Sequence, residues 1–156
     1  MPLDDVQKAR IEAFRAHIEE AVLREHGWDA PQRHDRQDGS TLATRYPVRE
    51  HVWIEYAVRP FLPQVRVGLL TDDRWLSEEF EQRIEDSGDT MTEFVGLAFE
   101  TAGLDWSDPP VEHYREGGTH FYFATPLDLQ RLEELDEPAV RDKVRRMLAG
   151  YREAFL

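Results

Sequence analysis

Histidines are the side chains of this chain best suited to metal binding or proton transfer, but their spacing supports neither role. No HxH or HExxH pattern places two imidazoles on one face of a strand or helix. His113 and His120 flank one predicted hairpin and could approach each other. A metal site needs at least a third ligand, for which Glu112 and Glu116 are the nearest carboxylates. We therefore predict partly exposed strand histidines and no metal site.

Serines and paired carboxylates also lack the arrangement that catalysis requires. None of the four serines lies in a GxSxG turn, and none has a recognisable base nearby. Adjacent acids such as Asp72 and Asp73 do not face each other on a helix, and helix capping explains them better. Gly117 and Gly118 fit a hairpin turn rather than a phosphate-binding loop. We therefore expect no catalytic residue, no cofactor and no enzyme activity.

The aromatic residues of the predicted strands are stronger candidates for a binding role. Strict alternation places Trp53 and Tyr122 on the sheet face opposite the main aliphatic residues. That second face is normally polar when helices cover only one side of an antiparallel sheet. An apolar patch there would bind a partner, so Trp53, Tyr122 and Tyr46 are the predicted partner-binding residues. The alternatives are that helices cover both faces, or that a second copy of the chain covers the second face.

Charge argues against nucleic-acid binding. The chain has 32 acidic and 19 basic residues and a formal net charge of -13, which repels a phosphate backbone. One basic cluster occurs late in a predicted helix, where cations complement the helix dipole: Arg141, Lys143, Arg145 and Arg146. The acid excess and the scarcity of lysine fit a solvent adaptation, so the surface charge does not by itself indicate a binding surface.

Length and composition favour a single domain over residues 1–156, which is large enough to bury a core. The sequence has no cysteine, which excludes disulfides and weakly favours a reducing compartment. No run of about 18 apolar residues could span a membrane, and residues 1–10 have no signal-peptide pattern. We therefore expect a cytoplasmic protein with no membrane partner.

Hydrophobic periodicity predicts the elements that must position these residues. A first helix begins after Asp4 or Asp5 and ends near Gly27, and a polar loop over residues 29–40 follows. Three sequential strands then predict an antiparallel meander. Their ranges are residues 41–48, 51–58 and 64–70.

Helices and one hairpin make up the rest of the prediction. Two helical segments meet at a bend near Gly88, and Thr90 with Glu93 forms a possible capping box for the second. A hairpin follows, and a final helix begins after Asp136. The predicted fold class is α+β, with an antiparallel five-stranded sheet packed with helices in the order α-βββ-α(α)-ββ-α.

Two registers are open for the hairpin around Gly117–Gly118. A loop over residues 116–118 places Val111 opposite Phe123 and buries both. A two-residue glycine turn would instead place Tyr114 opposite Phe121. We prefer the first register because it buries an aliphatic residue with two phenylalanines.

The element order, the acidic composition and one stretch of sequence resemble a known fold family. Residues 52–56 (VWIEY) lead through residues 65–67 (VRV) to a helix at Trp75. This arrangement resembles the type III secretion chaperone-like fold, which class I secretion chaperones share with the YbjN family of bacterial proteins. The interruption at Gly88 departs from the single helix usual in that family.

The resemblance implies an α+β domain, often a homodimer, that holds an extended or partly helical segment of another protein without a cofactor. Our first hypothesis is therefore a non-catalytic binding protein that uses an apolar sheet face for a partner or for itself. The rival is a small-molecule-binding protein or enzyme with a pocket between the sheet and the paired helices. Its discriminator is an enclosed cavity lined by polar groups such as His51, Glu55 or Arg66.

Overall fold

The computed structural model describes residues 2–156, which fold into four α-helices and one six-stranded antiparallel sheet. A short 3-10 helix, Leu132–Asp136, precedes the last helix. None of the helices within residues 2–156 is long and apolar enough to cross a membrane. The elements in chain order are α1 (Asp5–Leu23), β1 (Gln32–Asp35), β2 (Leu42–Arg49), β3 (Val52–Arg59), β4 (Gln64–Thr71), α2 (Arg74–Ser87), α3 (Met91–Thr101), β5 (Glu112–Glu116), β6 (His120–Asp128) and α4 (Pro138–Phe155).

The α+β class is confirmed, but the five-stranded sheet is wrong because β1 lies within the predicted polar loop. All four residues of β1 are exposed, so no hydrophobic alternation marks it in the sequence. The strand pairs with the edge of β2, where Arg33 lies opposite Thr44. Arg33 also binds Glu12 and Glu19 of α1, which ties this edge strand to a helix through ion pairs rather than apolar packing.

The predicted helix boundaries near Gly88 are confirmed. Gly88 ends α2 in the left-handed region, with a φ of 80°, which a glycine adopts without strain. The side chain of Thr90 then accepts from the backbone N–H of Glu93, whose carboxylate accepts from the backbone N–H of Thr90. This capping box starts α3 and makes α2 and α3 separate helices.

The strand order across the sheet is β1-β2-β3-β4-β6-β5. The meander predicted for the three central strands is confirmed, since β2, β3 and β4 pair antiparallel in sequence order. The β5–β6 hairpin joins the sheet through β6, which pairs with β4. The two edges of the sheet are therefore β1 and β5.

Both registers considered for the β5–β6 hairpin are wrong. Glu116 pairs with His120, so the connection is the three-residue loop of residues 117–119. Tyr114 consequently lies opposite Tyr122, and their rings stack with centroids 5.3 Å apart. Val111 precedes the strand and has no cross-strand partner in the ladder. The observed register therefore contains a stacked tyrosine pair in place of the expected pair of Val111 and Phe123.

The helices cover one face of the sheet, and the core lies between them. α4 lies against β3 and β4, α1 packs against α4, and α3 packs on α4 rather than on the sheet. Gly150 permits that last contact, because a Cβ there would lie 2.3 Å from the ring of Phe99 in α3. The strand residues that face the helices are fully buried: Val52, Ile54, Tyr56, Val58, Val65, Val67, Leu69 and Phe123.

The other face of the sheet is concave. Arg36 directly follows β1, and Glu116 ends β5 on the opposite edge, yet their side chains form an ion pair of 3.2 Å. Six flat strands would separate these edges by roughly 24 Å, so the sheet must coil to bring them together. Gly68 permits tight coiling, because a Cβ there would lie 2.2 Å from the backbone carbonyl oxygen of Phe123.

Candidate functional site

The concave face of the sheet encloses a cavity of about 310 Å³, which we call the open-face pocket. All six strands or the turns beside them contribute to it, so it exists only because the sheet coils. Its volume lies at the lower end of the range for small-molecule sites. The lining residues are His34, Asp35, Arg36, Thr41, Ala43, Arg45, Glu55, Arg66, Glu116, Gly117, Thr119, His120 and Tyr122.

A buried ion-pair network forms the floor of the open-face pocket. Glu55 on β3 is 2% exposed and accepts from Arg66 on β4 at 3.0 Å through one carboxylate oxygen. The other oxygen accepts from Nε of Arg45 on β2 at 2.9 Å. Period-two alternation places all three side chains on this face, because Glu55 pairs directly across the sheet with Arg45 and with Gly68, two residues beyond Arg66.

Two stacked tyrosines support the network from β5 and β6. Arg66 donates to the hydroxyl of Tyr114 at 2.8 Å, and its guanidinium lies 4.5 Å from the ring centroid of Tyr122. The Tyr122 hydroxyl donates weakly to Glu55 at 3.4 Å. Burial raises the pKa of Tyr122, with a further contribution from Glu55, and burial also raises the pKa of Tyr114. Both phenols therefore stay protonated at neutral pH and act as hydrogen-bonding groups.

Arg66 carries an uncompensated donor at the floor of the pocket. Its side chain is 3% exposed, yet its Nε has no acceptor within residues 2–156. A buried N–H without an acceptor costs about 1–3 kcal/mol, and the cost is greater on a charged group. The folded protein therefore carries this cost directly beneath the pocket.

The mouth of the pocket is bridged by Glu116. Its carboxylate lies 3.2 Å from Arg36 and 3.5 Å from Arg66, so one acid contacts two guanidinium groups. Glu116 immediately precedes Gly117 and Gly118, which have φ values of 63° and 70°. The bridge therefore connects the two sheet edges at a turn that glycine makes possible.

His120 and Trp53 lie beside the pocket. Burial lowers the pKa of His120, and the nearby Arg45 guanidinium lowers it further, so the imidazole is neutral at pH 7. The ring centroid of Trp53 lies 6.2 Å from that of His120. A neutral imidazole can donate one hydrogen bond and accept another without adding charge to the pocket.

The charge of the lining differs from that of the whole chain. Arginines and carboxylates are equal in number in the pocket, whereas acids exceed bases by 13 in the sequence. One lining acid, Asp35, is already bound by Arg15, which donates to both of its oxygens at 2.9 Å. Glu55 is likewise shared by Arg45 and Arg66, so the lining has no net formal charge in an otherwise acidic chain.

The structure separates the three predicted partner-binding residues. Tyr46 is 1% exposed and lies on the helix-covered face, where its ring meets Trp28 edge-on. Tyr122 does lie on the second face but is only 2% exposed, because Tyr114 and Arg66 cover its ring. Trp53 also lies on the second face and is partly exposed. The expected apolar patch is therefore wrong, since charged side chains fill that face.

A pocket of about 290 Å³ does lie between α2 and the β5–β6 edge of the sheet, but none of the three polar residues expected there lines it. Further inside, Phe80 of α2 meets Phe123 of β6 edge-on with centroids 6.3 Å apart. Glu55 and Arg66 do line a pocket, but on the opposite face. His51 lies in the β2–β3 turn, half-exposed and hydrogen-bonded to Asp72 at 2.9 Å.

The histidine pair and the basic cluster are accounted for by local contacts. His113 faces the helices and stacks on Phe123, whereas His120 faces the pocket. Within residues 2–156, no group of three potential ligands could hold a metal ion. In α4, Asp142 binds both Arg145 and Arg146. The cluster therefore has its own carboxylate partner.

Sequence reasoning missed Arg36, Arg45 and Glu116 as pocket residues. Arg45 could have been found, because it alternates with Thr44 and Tyr46 and shares a face with Glu55. Arg36 and Glu116 are 80 residues apart and carry no local signal, since only the coiling of the sheet brings them together. The pocket is thus a property of the assembled sheet.

The chain matches no family model, no curated protein and no solved structure. The resemblance to the type III secretion chaperone-like fold and the YbjN family therefore stays a prediction. The geometry of the open-face pocket is what remains to support a functional proposal.

Proposed function

We propose that this protein is a non-catalytic binding protein that holds a negatively charged group in the open-face pocket. The observation that carries this proposal is Arg66, a nearly fully buried guanidinium at the floor of a cavity whose acid partner, Glu55, is shared with Arg45. Arg36 and Arg45 line the same cavity. Guanidinium groups bind carboxylates and phosphates through short, charge-assisted hydrogen bonds.

The energetics of the floor support a binding role over a purely structural one. Removing a guanidinium and a carboxylate from water costs several kcal/mol per ion, so a buried ion pair adds little net stability. Apolar side chains of similar volume would often be as stable or more stable there. A charged network beneath a cavity is therefore better explained by a ligand than by folding.

A binding role also agrees with the state of the acid in the pocket floor. A general base must lie within hydrogen-bond reach of the proton that it abstracts, and pairing with cations weakens a carboxylate as a base. Both carboxylate oxygens of Glu55 instead accept hydrogen bonds from arginine. Glu55 thus orients Arg45 and Arg66, and this role suits recognition.

Calorimetric titration tests the proposal. The wild-type protein is titrated with sodium benzoate and with sodium phosphate in low-chloride buffer. The Arg36→Gln variant removes one guanidinium at the mouth, where the side chain is 55% exposed and carries little stability. We expect binding to weaken by about tenfold in this variant.

The matched control is Arg24→Gln, which makes the same change at an exposed arginine of the helix-covered side, whose ion-pair partner among residues 2–156 is Glu20. This control should bind as the wild type does. Absence of binding to either anion in every form of the protein would contradict the proposal, as would equal weakening in both variants.

A second candidate is the capture of an acidic protein segment, which would place a side-chain or terminal carboxylate in the same pocket. Trp53 favours it, because this ring remains partly exposed beside His120 at the pocket. Trp53→Ala should weaken binding of a synthetic aspartate-rich peptide and leave benzoate binding unchanged. Equal peptide affinity in the variant would count against it. A cytoplasmic location belongs to this proposal as well.

A further inference from the structure

We infer that the ligand of the open-face pocket is a carboxylate, and that Glu116 occupies its position in the ligand-free protein. The inference deepens the proposed function and depends on it. A carboxylic acid would displace the Glu116 side chain and take over its contacts with Arg36 and Arg66.

The contacts of Glu116 define the position. One of its oxygens, Oε1, faces Nη2 of Arg36 at 3.2 Å and Nη1 of Arg66 at 3.5 Å. The second distance is too long for a good hydrogen bond, because N–H···O bonds have a mode near 2.9–3.0 Å. The Glu116 carboxylate therefore lies in a site that suits a carboxylate but binds Arg66 weakly. A carboxylate that is not attached to the chain could approach Arg66 more closely.

The chain position of Glu116 allows it to leave. It is the last residue of β5, an edge strand, and is followed by Gly117 and Gly118 in a three-residue loop. The space around both glycines is open. A Cβ at Gly118 would meet nothing within 4 Å, and a Cβ at Gly117 would meet only the Thr119 hydroxyl oxygen at 3.9 Å. Movement of this hairpin tip would open the mouth without disturbing the buried partners of Glu55.

The chemistry at this position selects a carboxylate over a phosphate. The protein group that fills it is itself a planar, singly charged carboxylate. A phosphate brings up to two charges and a tetrahedral head, for which Glu55 at the floor adds repulsion. The cavity of about 310 Å³ leaves room for a small organic body behind the acid group.

The test compares Glu116→Gln with Glu112→Gln. The first removes the competing charge inside the pocket, and the second makes the same change four residues away, at an exposed position on the same strand. Sodium benzoate and sodium phosphate are titrated into the wild type and both variants by calorimetry. We expect Glu116→Gln to bind benzoate about tenfold more tightly than the wild type, and Glu112→Gln to match the wild type.

Each outcome decides between the two proposals. Tighter benzoate binding in Glu116→Gln alone supports the inference, including when the wild type binds too weakly to measure. Equal or weaker benzoate binding in that variant overturns the inference that Glu116 occupies the ligand position, and it leaves the proposed function standing. A preference for phosphate overturns the carboxylate class. No binding of either anion to any of the three proteins overturns the proposed function itself.

Discussion

Arg15 and Arg66 are equally buried, with 3% of each side chain exposed, but they lie on opposite sides of the sheet and are used differently. Arg15 donates to both oxygens of Asp35 and also to Thr44 and the backbone of Ala43. These contacts fasten α1 to the edge strands β1 and β2.

Arg66 has partners on the concave face, but these partners border a cavity. It shares Glu55 with Arg45 and binds a tyrosine, and the carboxylate of Glu116 at the end of β5 approaches it only to 3.5 Å. The comparison teaches that burial alone does not identify a functional arginine. Both arginines leave Nε without an acceptor in residues 2–156, so what distinguishes Arg66 is that it shares its buried carboxylate with a second arginine beneath the open-face pocket.

The helix-covered face should be the more sensitive of the two to loss of volume. Phe123 is fully buried between Phe80 and Phe155, and Phe123→Ala should lower the free energy of unfolding by about 4 kcal/mol through the lost burial and the cavity left behind. Urea denaturation followed by circular dichroism measures this change.

The neighbouring change on the concave face serves as the control. Tyr122→Phe removes one hydroxyl whose bond to Glu55 is already 3.4 Å long, so it should cost less than about 1 kcal/mol. If both substitutions lower the free energy of unfolding by a similar amount, the two faces of the sheet do not differ in the way proposed.

Removing one member of the Arg45–Glu55–Arg66 network should destabilise the protein, whereas replacing all three with apolar residues should not. Glu55→Gln leaves two buried guanidinium groups without their anion and should cost about 3 kcal/mol in the free energy of unfolding. The triple variant Arg45→Met, Glu55→Leu, Arg66→Met should lie within about 1 kcal/mol of the wild type or be more stable, and it should bind no anion.

Thermal and urea unfolding of the two variants check this prediction. If the triple variant is as unstable as Glu55→Gln, the floor holds the sheet together, and its charges need no ligand to explain them.

A smaller effect is expected at His120. Burial and Arg45 hold its pKa below the ordinary histidine value, so the unfolded chain takes up this proton at a higher pH than the folded chain. The free energy of unfolding therefore falls as the pH drops from the unfolded-state pKa through the folded-state pKa, and this contribution is fully present above that window.

An anion in the pocket should raise the His120 pKa, because a nearby negative charge favours the imidazolium. A titration of the imidazole resonances by NMR, with and without benzoate, measures the shift. An unchanged His120 pKa at saturating benzoate would place the anion elsewhere.

The helix-covered face was predictable because its signal is local. Alternating apolar residues from Val52 to Val58 and the capping box at Thr90 are patterns within short stretches of chain, and the structure contains both. Strand β1 was not predictable, since its four exposed residues pair through backbone bonds and ion pairs.

The concave face depends on contacts between distant segments. Alternation assigned Trp53 and Tyr122 to it correctly, but alternation cannot report how strongly a sheet coils. Gly68 permits that curvature and the pairing of Arg36 with Glu116 is a consequence of it, and these residues have no common pattern in the sequence. Tyr122 is buried by Tyr114 and Arg66 on the neighbouring strands, and alternation does not report those contacts.

The most direct test of the account follows the guanidinium Nε–H resonances of the wild-type protein by NMR during a titration with sodium benzoate. The resonances of Arg66 and Arg45 should shift together in a saturable manner, and that of Arg15, equally buried on the other side, should stay in place. Saturable shifts at Arg15 without any at Arg66, or no shift at any of the three, would contradict the assignment of the open-face pocket as an anion-binding site.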